Sequence, residues 1–123
     1  MTLEGKAALV TGASRGIGRA VAQMLAAAGV GLGLASRSGD DLGLEHVVAR
    51  PCDVRNPADL EGIVGETVDR FGRLDILVAN AGVGAYGPFL ELSREHLEEM
   101  IDVNVKGTLY AVRAALPHLL ESG

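Results

Sequence analysis

The chain has 123 residues, 48% of them hydrophobic and only 3% aromatic, which suits one domain, residues 1–123, built around an aliphatic core. Lys and Arg number 11 against 16 Asp and Glu, the net charge is −5 and no basic stripe is visible, which argues against nucleic acid as the main partner. The single cysteine, Cys52, allows no intrachain disulfide and reads as a small core residue. With no signal-peptide core in the first residues and no apolar stretch long enough for a bilayer, a soluble cytoplasmic protein is expected, with no membrane contact.

The run Ala7 to Val10 lies in a first strand of about Lys6 to Thr11. Gly12, Gly16 and Gly18 follow. Ile17, Ala20, Val21, Met24, Leu25 and Ala28 then recur at helical spacing, predicting a helix from about Gly16 to Ala28 that Gly29 ends. A strand, a glycine turn and a helix N-terminus make an anion site. Unpaired first-turn N–H groups and the positive end of the helix dipole face the turn, and the glycines let a pyrophosphate approach the backbone. A second strand covers about Val30 to Ser36 and a third about His46 to Pro51. Only Ser38 to Glu45 separates them, where a parallel crossover usually takes about a dozen residues or more. A short, irregular turn of helix over Asp40 to Leu44 is expected there.

Asn56-Pro57 is a helix start, a capping residue followed by proline at the first helical position. Leu60, Ile63, Val64, Thr67, Val68 and Phe71 line one face of that helix, and Gly72 stops it. A fourth strand runs from Asp75 to Asn80, with Ile76, Leu77 and Val78 apolar on both faces. The last helix begins near Ser93, with Leu92 and Leu97 at staple positions. Its stripe continues through Met100, Ile101, Val105, Leu109, Val112 and Leu116, and Pro117 is expected to bend or end it. Strands alternating with helices imply a parallel sheet with right-handed crossovers. No linker, internal repeat or low-complexity tract interrupts the chain.

The glycine spacing, Thr11-Gly12-x-x-x-Gly16-x-Gly18, differs from the general dinucleotide pattern Gly-x-Gly-x-x-Gly. It resembles the motif of the short-chain dehydrogenase/reductase family. Asp53-Val54 is similar to the Asp-Val that borders that family's adenine pocket. Val78-Ala79-Asn80-Ala81-Gly82 resembles its Asn-Asn-Ala-Gly motif, with Ala79 in place of the first Asn, and Asp102-Val103-Asn104 resembles the stretch carrying its catalytic Asn. The matches fall in the family's order and cover essentially the whole chain. The resemblance implies an α/β fold, a Rossmann-like doubly wound parallel sheet in strand order 3-2-1-4, incomplete beyond that point. It implies a dinucleotide held by Gly12, Ser14, Arg15, Gly16, Ile17 and Gly18 around the glycine turn and by Ser36 and Arg37 at the ribose. Asp53 and Val54 would meet the adenine, Asp53 accepting from its amino group, Asn80 would lie near the cofactor ribose, and Ala81 and Gly82 complete the cofactor-binding residues. No metal is implied.

NAD-binding members of the family place an acid at the end of the second strand to hold the ribose hydroxyls. Here Ser36 stands at that position with Arg37 next, and Arg15 precedes the second motif glycine. Two guanidiniums can grip a 2′-phosphate, which an acid would repel. NADP(H) is therefore favoured over NAD(H).

The resemblance also implies hydride transfer between NADP(H) and a carbonyl or alcohol substrate, which needs a proton donor. The family uses a Tyr, a Lys four residues later, a Ser and an Asn. Asn104 matches the Asn. It lies on the same side of the helix as Leu97 and Met100, where a polar amide needs partners. Tyr86 and Tyr110 are followed four residues on by Leu90 and Ala114, and the only lysines are Lys6 and Lys106. These residues thus resemble the cofactor half of the enzyme, truncated before its Ser and Tyr-x-x-x-Lys region, and inactivity on its own is expected. A stand-alone NADP-binding module and an inactive half-domain are the alternatives. Strand four would then be an exposed apolar edge and the last helix would lose its neighbours, so either invites self-association.

Overall fold

The computed structural model describes residues 2–83 and 87–123. β1 (Ala7–Thr11) is buried along its whole length, and β2 (Gly31–Ser36) from Leu32 onward. Such strands, apolar on both faces, belong in the middle of a parallel sheet covered on two sides. They occupy that place: the sheet runs β3-β2-β1-β4, all parallel, with β3 (Val47–Pro51) and the three-residue β4 (Ile76–Val78) at its edges. Val10 faces Leu34 on one side and Val78 on the other, and Leu34 faces Ala49. The strand order is the expected one. β4 is shorter than Asp75 to Asn80 because the chain leaves the sheet after Val78 to enter the site.

α2 (Pro57–Phe71) follows its sequence signals. The Asn56 side chain accepts from the Ala58 N–H at 3.0 Å, Leu60, Ile63, Val64 and Thr67 are buried, and Gly72 ends the helix at φ 75°. With α4 (Gly107–Ser122) it covers one face of the sheet over Leu9, Ala35, Leu74, Ala111 and Ala115. On the other face α1 (Gly16–Ala27) packs Ala22 against Ala8, Val10 and Leu32.

Two expected helix faces are corrected. In α1 the buried residues are Gly18 and Ala22, while Ile17 and Met24 are 75% and 73% exposed. In the last helix the buried positions are Val103, Gly107, Ala111 and Ala115, and Ile101, Val105, Leu109, Val112, Leu116 and Leu120 face outward. The reason is common to both: each helix approaches its neighbour so closely that only small side chains fit between. A Cβ on Gly107 would stand 2.7 Å from Val54 Cγ2. A stripe of the largest apolar residues therefore points to the wrong side.

The last helix is three segments in line. α3 (Arg94–Met100) is capped by Ser93, which accepts from the His96 N–H at 3.1 Å. Residues Ile101–Lys106 form a turn of π-helix, and α4 continues from Gly107. Pro117 neither ends nor interrupts α4. Ala115 packs in the core before it, and Ser122 Oγ accepts from the Leu74 N–H at 3.1 Å after it, so both flanks are held.

The link from β2 to β3 contains no turn of helix, which corrects the expectation for Asp40 to Leu44. Gly39, Leu42, Gly43 and His46 all have φ between 57° and 71°, incompatible with a right-handed helix. The Asp40 and Asp41 carboxylates accept from the Leu42 and Gly43 N–H groups at 2.8 and 2.9 Å, closing two successive turns. Leu42 and Leu44 pack on the sheet where a crossover helix would lie.

Candidate dinucleotide-binding cleft

The carboxyl ends of all four strands open into one cleft of about 570 Å³. Gly12, Ser14, Arg15 and Gly16 line it after β1, Ser36 and Arg37 after β2, Asp53 and Val54 after β3, and Asn80, Ala81 and Gly82 after β4. The ends of strands where the chain order reverses are the usual ligand site of such sheets.

The glycine turn is shaped by two requirements. Gly18 is buried against the Gly12 carbonyl and the Asn80 amide, with no room for a Cβ, so α1 lies directly on the turn. Gly16 has φ 60° and nothing within 4 Å of where its Cβ would stand, so its constraint is backbone conformation and the open space is the cleft itself. α1 has Arg15 at its N-cap, with no side-chain cap and no acid in its first turn, unlike α2 and α3. Its N–H groups remain available to an anion in the cleft. The residues present therefore fit a pyrophosphate.

Thr11, at the end of β1, holds the opposite wall. Its Oγ1 accepts from the Asn80 and Ala81 N–H groups at 3.0 and 3.1 Å, and Asn80 Nδ2 donates to the Gly12 carbonyl at 3.3 Å. One hydroxyl thus ties the glycine turn to the chain leaving β4.

At the far end, Ser36 is buried and its hydroxyl lies 3.2 Å from that of Ser38 and accepts from the Gly39 N–H at 3.2 Å. Asp53 is gripped by Arg55 through two nitrogens, Nε at 3.0 Å and Nη2 at 2.8 Å. The Arg55 hydrogen bonds, with a smaller contribution from the Arg37 charge, lower the Asp53 pKa to about 2, so the group is an ionised acceptor. Cys52 lines the cleft beneath it. Burial, with the nearby Asp59 charge, raises its thiol to about 11, in keeping with a core residue. Among the described residues Arg15 makes no ion pair, whereas Arg37 faces Glu99.

Three expected site residues do not line the cleft. Gly18 is buried behind it, Ile17 points outward, and Asn104 sits in the π-turn beside it. The Asn104 side chain is exposed yet engaged at both ends: Oδ1 accepts from the Val83 N–H and Nδ2 donates to the Val83 carbonyl, both at 2.8 Å. Its backbone carbonyl accepts from Thr108 Oγ1 at 2.9 Å. Sequence reasoning missed Thr11, Arg55 and Val83 as organisers. Only Thr11 carried a signal, its place before the first motif glycine. Tyr86 lies outside the described residues. Among those described, no group of three or more His, Cys, Asp and Glu could hold a metal ion.

A parallel sheet in this order, with an uncapped glycine turn opening a cleft at its carboxyl edge, defines a dinucleotide-binding, Rossmann-type fold. The chain belongs to the short chain dehydrogenase family, whose model matches residues 6–123. It is 41% identical over 131 residues to an uncharacterized oxidoreductase of Methylorubrum extorquens, an alignment covering 98% of this chain and 53% of that protein. Among solved structures it resembles the 3-ketoacyl-(acyl-carrier-protein) reductase of Brucella melitensis complexed with NADH, at TM-score 0.91 and 31% identity over 98% of this chain and 52% of that one. It also resembles the alcohol dehydrogenase of Thermococcus sibiricus complexed with 5-hydroxy-NADP, at TM-score 0.86 and 38% identity over 95% of this chain and 54% of that one. The chain spans about half the length of the curated relatives it matches. No helix among the described residues is long and apolar enough to cross a membrane.

Proposed function

We propose that these residues form the cofactor-binding half of an oxidoreductase that moves a hydride between NADP(H) and a carbonyl or alcohol substrate, residues 1–123 acting as one dinucleotide-binding domain. The observation that carries the reading is the cleft in which the uncapped N-terminus of α1 meets Arg15 and Arg37. The turn from Gly12 to Gly18 takes the pyrophosphate. Ile17, 75% exposed, faces outward in the first turn of α1, next to the glycine turn. Ser36 and Arg37 take the ribose and its 2′-phosphate, Asp53 and Val54 the adenine, and Asn80, Ala81 and Gly82 the second ribose. The cofactor supplies the hydride when bound.

Asn104 is the one member of the family's proton relay within these residues. Its paired bonds to Val83 support a part in fixing the loop after β4. No Tyr of this sequence is followed four residues on by Lys, so these 123 residues by themselves should not consume NADPH in the presence of ketones or aldehydes. The same reading places the protein in the cytoplasm, in keeping with its one free, buried cysteine. It also lets two copies associate through the outward stripe of α4 or the open edge of β4.

Both cofactors, titrated by fluorescence, test the proposal. NADPH should bind at least about tenfold tighter than NADH, since one charge-assisted bond to the 2′-phosphate suffices for that ratio. Arg37→Asp should reverse the order. Equal affinities, or an unchanged order in the variant, would overturn the NADP assignment, and absence of binding to either would overturn the cofactor reading.

A further inference from the structure

Arg15 and Arg37, the two cations assigned to the 2′-phosphate, are not equivalent. Arg15 makes no ion pair among the described residues, but Arg37 Nη2 lies 3.5 Å from Glu99 Oε1. The contact bridges separate elements, joining the residue after β2 to the last turn of α3. The neighbouring acids are engaged within their own segments: Glu98 pairs with Arg94 of α3 at 3.1 Å, and Asp102 with Lys106 of the π-turn at 3.2 Å. Of these three acids only Glu99 pairs with a residue lining the cleft, Arg37, and its charge, like that of Asp102, is also felt by Arg55, the partner of Asp53.

We propose that Glu99 is a specificity-determining residue: it competes with the 2′-phosphate of the cofactor for Arg37, and so sets how far NADP(H) is preferred over NAD(H). The inference rests on the cofactor reading above. A 2′-phosphate brought to Arg37 arrives beside the Glu99 carboxylate and must share or displace it. The 2′-hydroxyl of NAD(H) carries no charge and meets no such repulsion. The Arg37 and Glu99 side chains are 63% and 38% exposed, so water and salt screen the competition. Its size is accordingly about three- to tenfold in affinity rather than orders of magnitude.

The test is a cycle of four proteins, each the full chain: the parent, Glu99→Gln, Arg37→Leu and the double variant, titrated with NADPH and NADH at low and raised salt. Glu99→Gln should tighten NADPH about three- to tenfold and leave NADH within about twofold. The gain should shrink as salt rises and be clearly smaller when Arg37 is already Leu, where only direct repulsion remains. Equal effects on both cofactors, no effect, or a gain undiminished in the Arg37→Leu background would overturn the role of Glu99 while leaving the cofactor reading in place. Failure of the parent to bind either cofactor would overturn both. Circular dichroism of each variant separates loss of binding from loss of fold.

Discussion

At the scale of single residues, the most consequential polar group outside the cleft is Asp75, just before β4. Its side chain is 8% exposed, accepts from the Ala7 N–H at 2.9 Å, and is gripped by Arg73 at 2.7 Å through each of two nitrogens. The Arg73 hydrogen bonds hold its carboxyl below the usual carboxylate range. A folded-state value below the unfolded one stabilises the protein above the unfolded value, and that stabilisation is lost as pH falls through the folded one. Asp75→Asn should therefore cost about 1–3 kcal/mol near neutral pH, with a smaller penalty in acid where the parent has itself lost the charge. Urea unfolding at neutral pH and near the acid limit measures both; an equal penalty at the two would contradict the linkage. Within the cleft, the residues legible in the sequence were those with local chemistry of their own. Gly12, Arg15, Ser36, Arg37, Asp53 and Asn80 all line it. What could not be read was pairing at a distance. The Asn104 bonds to Val83 and the Arg37 contact with Glu99 join positions 21 and 62 residues apart, and no motif spacing announces them.

At the scale of elements, caps and stops were readable because each is decided by two or three neighbouring residues. Asn56, Ser93 and Gly72 do what their types favour. Asn56→Ala should destabilise the protein by about 1 kcal/mol, because the Ala58 N–H loses its acceptor. Thermal melts of Asn56→Ala beside Asn56→Asp, which keeps an acceptor oxygen, check this; equal losses in the two would rule out capping as the cause. Helix faces were less legible. Periodicity weighs size, whereas α1 and α4 are seated by Gly18, Ala22, Gly107, Ala111 and Ala115. The π-turn over Ile101–Lys106 left no trace in the pattern either, since the apolar residues run through it at ordinary helical intervals.

At the scale of the whole molecule, the outward stripe Ile101, Val105, Leu109, Val112, Leu116 and Leu120 is the largest apolar feature of the last helix, each residue 39–72% exposed. Such a run favours association. Leu109→Glu with Leu116→Glu should shift the protein toward monomer in sedimentation velocity, with little change in circular dichroism. A parent that stays monomeric at high concentration would contradict this. The strand order was readable from the alternation of elements, but the link from β2 to β3 was not, and it bears on how the molecule opens. With no crossover helix over it, β3 is an edge strand tied to α2 by two arginine contacts, one arginine from each element. Arg70 Nη1 donates to the Val47 carbonyl at 2.7 Å, and Arg50 pairs with Glu66 at 2.8 Å. Both contacts are exposed, so this strand should yield amide protons to solvent earlier than β1 or β2 in hydrogen exchange. Cys52 and Asp53 follow it directly and line the cleft, so each such excursion carries that end of the cleft away with it. The buried thiol of Cys52 then becomes a built-in reporter: its rate of alkylation counts the openings, and under the proposed function a nucleotide in the cleft should slow them.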